Sequence, residues 1–164
     1  MPQETSDPPL PTGGAGDELD MAAATVMIVD DNLQNLELLQ AYVEDLGCAV
    51  VAVDDGVRAL DAVAARQPDI ILLDVMMPRM SGFQVCERLK GAPETRDIPI
   101  VMVTALNEVG DVERAVEAGA DDFLTKPVNK LELLTRVRSL LRVRMLKRQL
   151  ERTLEQVRGT RRGE

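Results

Sequence analysis

The sequence predicts an α/β fold in which a parallel β-sheet is covered by helices on both faces. Short aliphatic runs alternate five times with segments whose apolar residues recur at helical spacing. Such alternation is typical of parallel sheets built from strand–helix–strand units. The run Ile70-Ile71-Leu72-Leu73 is apolar without interruption, as expected of a strand that is buried on both faces. It ends at a carboxylate, Asp74.

Each predicted element has a boundary signal. Gly47 and Gly119 end the first and fourth helices, because glycine accepts the backbone conformation of a helix C-terminus, and Pro68 follows the end of the second. Right-handed crossovers make the flavodoxin-like strand order 2-1-3-4-5 the simplest arrangement of the doubly wound sheet. In chain order, the predicted elements are strand 25–29, helix 36–46, strand 49–53, helix 57–66, strand 70–73, helix 82–90, strand 98–103, helix 109–118, strand 122–125 and a long helix from 129 to about 158.

Composition and charge narrow the possible functions. The chain has no histidine, which excludes His-based catalysis, His-ligated metal sites and a phosphohistidine carried by this chain. Cys48 and Cys86 lie beside apolar residues and predict buried thiols rather than a disulfide or a metal site. No apolar run approaches the roughly 20 residues of a membrane span, and no basic residue precedes Arg58, unlike a secretory signal. We therefore expect a cytoplasmic protein.

The polar residues at the strand ends predict a site for an anion. Asp30 and Asp31 follow the first strand, Asp74 the third, Thr104 the fourth and Lys126 the fifth. The carboxyl ends of parallel strands meet at one edge of the sheet, where ligands bind. Three clustered carboxylates repel one another unless a cation intervenes, and Mg²⁺ prefers oxygen ligands. Phosphoryl transfer to an aspartate nucleophile suits this set of groups.

These residues stand in sequence motifs that, in this order, resemble the receiver (CheY-like) domain of bacterial two-component response regulators. The resemblance covers residues 25 to 141. The matching motifs are Val29-Asp30-Asp31, Leu73-Asp74-Val75-Met76-Met77-Pro78 with Gly82, Val103-Thr104-Ala105, and Leu124-Thr125-Lys126-Pro127.

The resemblance implies a role for each site residue. Asp74 would accept a phosphoryl group from a sensor histidine kinase, and Lys126 would pair with Asp74 or its phosphate. Thr104 would hydrogen-bond the phosphoryl oxygen and move toward it on activation. The protein ligands of Mg²⁺ would be Asp31, Asp74 and the backbone carbonyl of Met76, with Asp30 acting through metal-bound water. The remaining implied positions are the switch aromatic Phe123, the cis peptide Lys126-Pro127, and the apolar residues Met76 and Leu106, which predict slow hydrolysis of the phosphate.

Other functions fit these residues less well. Asp30-Asp31-Asn32 could simply cap the first helix, and Phe123 could be an ordinary core residue. A haloacid-dehalogenase-type phosphatase needs a second aspartate two residues after the nucleophile, where this chain has Met76. A flavin or nucleotide carrier needs a phosphate-binding loop after the first strand, which is missing. The resemblance implies no enzyme beyond self-phosphorylation and self-dephosphorylation; the remaining alternative is a stand-alone or degenerate receiver that acts as a scaffold.

The regions outside the receiver differ from it in charge. Residues 1–23 are rich in proline, glycine and acidic residues and are predicted to be disordered, whereas residues 24–141 form the predicted receiver. Residues 130–164 hold eleven basic and four acidic residues, against eight basic and twenty-four acidic in residues 1–129. Residues 142–164 are predicted to be a basic helical extension. Its apolar stripe has a spacing close to that of a coiled coil and consists of Leu140, Val143, Leu146, Leu150, Leu154 and Val157.

The predicted partners follow from these regions. We expect a histidine kinase, a parallel homodimer through the C-terminal helix, and a downstream effector domain or protein. In the family, the face formed by the fourth helix, the fifth strand and the fifth helix often dimerises as well. The alternatives for the extension are a helix that folds back on its own domain and, with less support, binding to nucleic acid or anionic lipid, because Glu151 and Glu155 interrupt its positive charge.

Overall fold

The computed structural model describes residues 21–105 and 109–163. The described residues form five strands that alternate with five α-helices, preceded by a short 3-10 turn at Met21–Ala23. In chain order the elements are β1 (Thr25–Val29), α1 (Leu33–Glu44), β2 (Ala49–Val53), α2 (Gly56–Ala65), β3 (Ile70–Asp74), α3 (Gly82–Gly91), β4 (Ile100–Thr104), α4 (Val109–Glu117), β5 (Asp122–Thr125) and α5 (Lys130–Arg162).

The five strands form one parallel sheet in the order β2-β1-β3-β4-β5. This confirms the predicted fold class and strand order. Every residue of β3 and β4 is buried, whereas β2 lies at an edge and is partly exposed. The uninterrupted aliphatic sequence of β3 is therefore explained by helices covering both of its faces.

Two apolar clusters lie on the two faces of the sheet. Successive side chains of a strand point to opposite faces, so Met27 of β1 joins one cluster and Ile28 the other. The first cluster contains residues of α2, α3 and α4, including Phe83 of α3. The second contains residues of α1 and α5, including Leu133 of α5. Cys48 and Cys86 are both free and buried, as predicted.

The structure differs from the predicted elements at several boundaries. Helix α1 spans Leu33–Glu44, where residues 36–46 were predicted, and begins early because Asn32 caps its start. The bounds of α2, β3, α3 and α4 differ from the prediction by one residue. Strand β4 begins at Ile100 rather than residue 98, because Pro99 has no N–H to donate to the sheet and the Ile98 N–H donates to the Thr95 carbonyl in a turn. Met21–Ala23 fall in the predicted disordered leader, yet they form a 3-10 turn because Met21 packs against the second apolar cluster. Helix α5 continues to Arg162, a few residues past the predicted end.

Some predictions fall outside the described residues. These are the disorder predicted for residues 1–20 and the position of Leu106. In the part of the chain that the structure describes, no helix is both long and apolar enough to cross a membrane.

Candidate functional site

Three carboxylates meet at the carboxyl edge of the sheet. Strands β1 and β3 are neighbours with Val29 opposite Leu73, so the next residues, Asp30 and Asp74, lie side by side. Oxygen atoms of Asp30, Asp31 and Asp74 all lie within 4.8 Å of one another. Asp30 and Asp74 are 1% and 5% exposed, whereas Asp31 is exposed. The structure therefore brings together the three acidic residues that the sequence placed at strand ends.

Asp30 is held by the start of the first helix and by a lysine. Its Oδ1 accepts the backbone N–H of Asn32 at 2.9 Å, and its Oδ2 accepts Lys126 Nζ at 2.9 Å. The N-cap of α1 is Asn32, whose side chain accepts the N–H of Asn35. Asn32 is therefore the N-cap of this helix, and neither preceding aspartate is.

Lys126 faces both buried carboxylates. Its Nζ is 2.9 Å from Asp30 Oδ2 and 3.6 Å from Asp74 Oδ1. Its backbone N–H donates to the carbonyl of Thr104 at 2.8 Å, which ties the end of β5 to the end of β4. The Lys126-Pro127 peptide is cis, as the resemblance implied. The ammonium group of Lys126 thus lies beside Asp74 in a partly buried setting.

The electrostatic environment of Asp74 favours its neutral form. Burial raises the pKa of this carboxyl from 3.8 to about 6, and the charge of Asp30, with a smaller effect from Asp31, acts in the same direction. The charge of Lys126 and the backbone N–H of Met76, which lies 3.4 Å from Asp74 Oδ1, oppose the rise. One lysine therefore does not fully compensate the clustered carboxylates.

A divalent cation would supply the missing positive charge. The donor set is made of hard carboxylate oxygens at the ends of the neighbouring strands β1 and β3, which is the chemistry that Mg²⁺ selects. The residues present thus fit such an ion. Asp30, Asp31 and Asp74 are the acidic group that could hold it among the described residues.

Thr104 and Phe123 lie close to this edge on the other side of Asp74. Thr104 is the last residue of β4 and is fully buried. Asp74 pairs in register with Val103, so Thr104 ends the strand next to the carboxylate. Phe123 pairs with Met102 and is partly buried against the first apolar cluster. The structure therefore places Thr104 at the site, and Phe123 on the neighbouring strand β5, against the first apolar cluster.

Gly82 allows the loop after Asp74 to close on itself. Its N–H donates to the carbonyl of Val75 at 3.0 Å. A Cβ atom built on Gly82 would lie 2.2 Å from the backbone oxygen of Asp74. Helix α3 therefore starts against the main chain of the acidic strand end, and the residue at that contact must lack a side chain.

Comparison with known protein families identifies the fold's relatives. The family model of the response regulator receiver domain matches residues 26–138. This chain belongs to the response regulator receiver family.

Individual relatives of this receiver domain agree with the assignment. The response regulator PleD of Caulobacter vibrioides is 48% identical over 124 residues, which make up 76% of this chain but 27% of PleD. The receiver domain of a histidine kinase from Syntrophus aciditrophicus has a TM-score of 0.69 at 39% identity, covering 73% of this chain and 90% of that one. The chemotaxis regulator CheY4 of Vibrio cholerae has a TM-score of 0.68 at 28% identity, covering 71% and 98%. The chain thus spans about a quarter of PleD and nearly all of these solved receivers.

Sequence reasoning missed two interactions that hold this receiver domain together. Asp121 accepts hydrogen bonds from Lys90 Nζ at 2.8 Å and from the backbone N–H of Ile100 at 2.7 Å. Asp69, which was not singled out, is buried and paired with Arg148 of α5. The available signal was an acidic residue immediately before a strand, Asp69 before β3 and Asp121 before β5.

Proposed function

We propose that this receiver accepts a phosphoryl group on Asp74 from a partner histidine kinase, with Mg²⁺ bound beside it. The observation that carries the proposal is the cluster of Asp30, Asp31 and Asp74 with Lys126 at the carboxyl edge of the sheet. The ion would be held by the carboxylates and by the backbone carbonyl of Met76. When bound, it neutralises charge on the incoming phosphoryl oxygens and on the carboxylates.

The transfer requires an oxygen nucleophile and compensation of the phosphoryl charge. A carboxylate oxygen of Asp74 forms the new P–O bond as the P–N bond to the kinase histidine breaks, and the bonding pair leaves with the imidazole nitrogen. Lys126 compensates charge on the phosphoryl group, and the hydroxyl of Thr104 donates to one of its oxygens. Positioning and charge neutralisation supply most of the rate of such transfers. In this proposal the domain catalyses no reaction besides its own phosphorylation and dephosphorylation.

The proposed consequence is a change in the populations of two conformations. A phosphoryl group that binds Thr104 favours the state in which Thr104 has moved toward Asp74, and Phe123 then turns into the space behind it. Because Thr104 and Phe123 lie on adjacent strands, the change spreads to the face formed by α4, β5 and α5. A receiver that works only as a scaffold would keep the same fold without this response.

Phosphorylation can be tested with a small-molecule donor. We expect the full-length chain, incubated with acetyl phosphate and Mg²⁺, to gain the mass of one phosphoryl group, and Asp74→Asn to gain none. Asp61→Asn, which removes an exposed carboxylate of α2, is the matched control and should be labelled like the wild type. Labelling of Asp74→Asn to the wild-type level would contradict the assignment of Asp74.

The second part of the proposal concerns the exposed stripe of helix α5. Five apolar side chains in this stripe are 47–60% exposed, although long helices usually bury such residues against a partner. They recur close to every 3.5 residues, which is the spacing of a two-stranded coiled coil. We propose that the stripe pairs with that of a second copy in a parallel dimer. The five exposed residues are Val143, Leu146, Leu150, Leu154 and Val157. Leu140, predicted to begin the stripe, instead packs partly buried against the second apolar cluster, so the stripe consists of these five residues.

A charge placed in the stripe tests the pairing. We expect light scattering to show a dimer for the wild type in beryllofluoride and Mg²⁺, and a monomer for Leu150→Glu, because the dimer would have to bury the new carboxylate. Gln156→Glu introduces the same charge outside the stripe and should leave the dimer intact. Equal masses for Leu150→Glu and the wild type would show that the stripe does not form the interface. Measurement without beryllofluoride tells whether pairing depends on phosphorylation.

A further inference from the structure

An ion pair between a buried aspartate and a partly exposed arginine joins helix α5 to the base of the receiver, at the end of the sheet opposite the candidate site. Asp69 precedes β3, and its side chain is 8% exposed. Its Oδ2 accepts the backbone N–H of Thr25 at 2.7 Å, and its Oδ1 accepts Nη1 of Arg148. The carboxylate therefore bonds simultaneously to the first residue of β1 and to the helix extension.

The buried face of α5 changes from leucine to arginine at this level. Leu133, Val137 and Leu141 are fully buried against the second apolar cluster. Arg144 and Arg148 continue the same face at three- and four-residue spacing, which keeps them on one side of a helix. Arg144 is 8% exposed although it is charged. The change in residue type coincides with the point where the helix passes from the apolar sheet to the carboxylate of Asp69.

Nearby carboxylates partly offset the cost of burying Arg144, and further contacts hold the helix at the base. Burial and the charge of Arg148 lower the pKa of the Arg144 guanidinium, and the carboxylates of Asp69, Asp97 and Glu151 oppose that shift. Met145 packs against the second apolar cluster. Ala23 and Ala24, from the turn before β1, line the same cleft as Asp69 and Arg148. Gln149 and Arg152 line the outer part of this cleft, but residues 149–163 are all exposed.

We propose that Asp69, Arg144 and Arg148 form an anchor that holds the first two turns of the helix extension, residues 142–148, against the body. The free helix then begins after Arg148 rather than after Leu141, where the receiver was predicted to end. The anchored face and the exposed stripe are separated by roughly 140° around the helix axis, at about 100° per residue. The anchor therefore fixes the direction in which the stripe points relative to the body. The anchor also gives a structural role to one pair of opposite charges, Asp69 in the acidic residues 1–129 and Arg148 in the basic residues 130–164.

The anchor can be tested by hydrogen exchange of the amides in residues 142–148. A short helical segment without tertiary contacts is marginally stable in water, so release of the anchor exposes these amides. We expect exchange at least tenfold faster in Asp69→Asn and in Arg148→Gln, and no further acceleration in the double variant. Asparagine retains an acceptor for the Thr25 N–H, so Asp69→Asn removes the charge and not that bond. All variants carry Leu150→Glu in the full-length chain, so that helix pairing cannot mask the effect.

Two matched controls separate the anchor from a general loss of charge. Asp61→Asn removes an exposed acid of the body, and Arg158→Gln removes an exposed arginine ten residues further along the helix, away from the cleft at Asp69. Both should exchange like the parent. Unchanged exchange in Arg148→Gln, or equal acceleration in Arg158→Gln, would overturn the proposal. If Asp69→Asn does not fold, the comparison of Arg148→Gln with Arg158→Gln decides the question, and neither depends on phosphorylation.

Discussion

Replacing Asp74 by asparagine is expected to raise the free energy of unfolding of the metal-free protein at pH 7 by about 1–3 kcal/mol. Asp74 is 5% exposed and lies beside two other carboxylates. Its pKa is raised from 3.8 to about 6, so ionisation is less favourable in the folded state than in the unfolded state. The amide has nearly the same shape and carries no charge, so the variant loses the repulsion and keeps the packing.

The stability difference should depend on pH in a defined direction. The pKa of Asp74 is raised from 3.8 to about 6 by folding, so the folded state binds this proton more tightly than the unfolded state. The wild type therefore loses stability relative to Asp74→Asn as the pH rises from about 4 to about 6, and the difference is constant above that range. Below about pH 4 the carboxyl is protonated in both states, and the difference disappears.

Denaturant unfolding of both proteins in a metal chelator, at several pH values, measures this effect. Added Mg²⁺ should stabilise the wild type more than the variant, because the ion neutralises the carboxylates that repel one another. Asp61→Asn serves as the control, since its carboxylate is exposed and the difference from wild type should stay near zero. An Asp74→Asn variant that is less stable than wild type at pH 7 without metal would contradict the electrostatic picture of the site.

Replacing Gly82 by alanine is expected to destabilise the protein by on the order of 3–5 kcal/mol. The new Cβ would lie 2.2 Å from the carbonyl oxygen of Asp74 and 2.9 Å from the Cα of Val75. These are backbone atoms of a buried strand end and cannot move aside like a flexible side chain. Helix α3 cannot easily shift either, because Ser81 and Gln84 form a capping box that fixes its start.

Gly91→Ala is the matched control for this prediction. Gly91 ends the same helix, and a Cβ built there meets no atom within 4 Å. Alanine should therefore leave the stability unchanged or raise it slightly, since it loses less backbone entropy on folding. Chemical denaturation of both variants gives the comparison. Equal stability of Gly82→Ala and Gly91→Ala would mean that the loop after Asp74 can relax.

The sequence predicted the sheet and the site well because both depend on local patterns. An uninterrupted aliphatic run such as that of β3 indicates a strand buried on both faces. Strands that alternate with helices typically form a parallel sheet, which brings their carboxyl ends together. Asp30, Asp74 and Lys126 could therefore be placed at one edge before any coordinates were known. The start of β4 was predicted two residues early because the aliphatic run extends across Pro99, whose effect on hydrogen bonding outweighs the pattern.

The amino-acid sequence by itself determined the fold class, the strand order, the acidic edge with its lysine, and the existence of a long basic helix. Only the tertiary structure decided which carboxylate Lys126 approaches most closely, which residue caps α1, and how far α5 remains attached to the body. The physical reason is the range of the interactions. Periodicity and turn residues act between neighbours in the chain, whereas the pairing of Asp69 with Arg148 joins residues 79 positions apart, and such a contact exists only once the sheet and helix have packed.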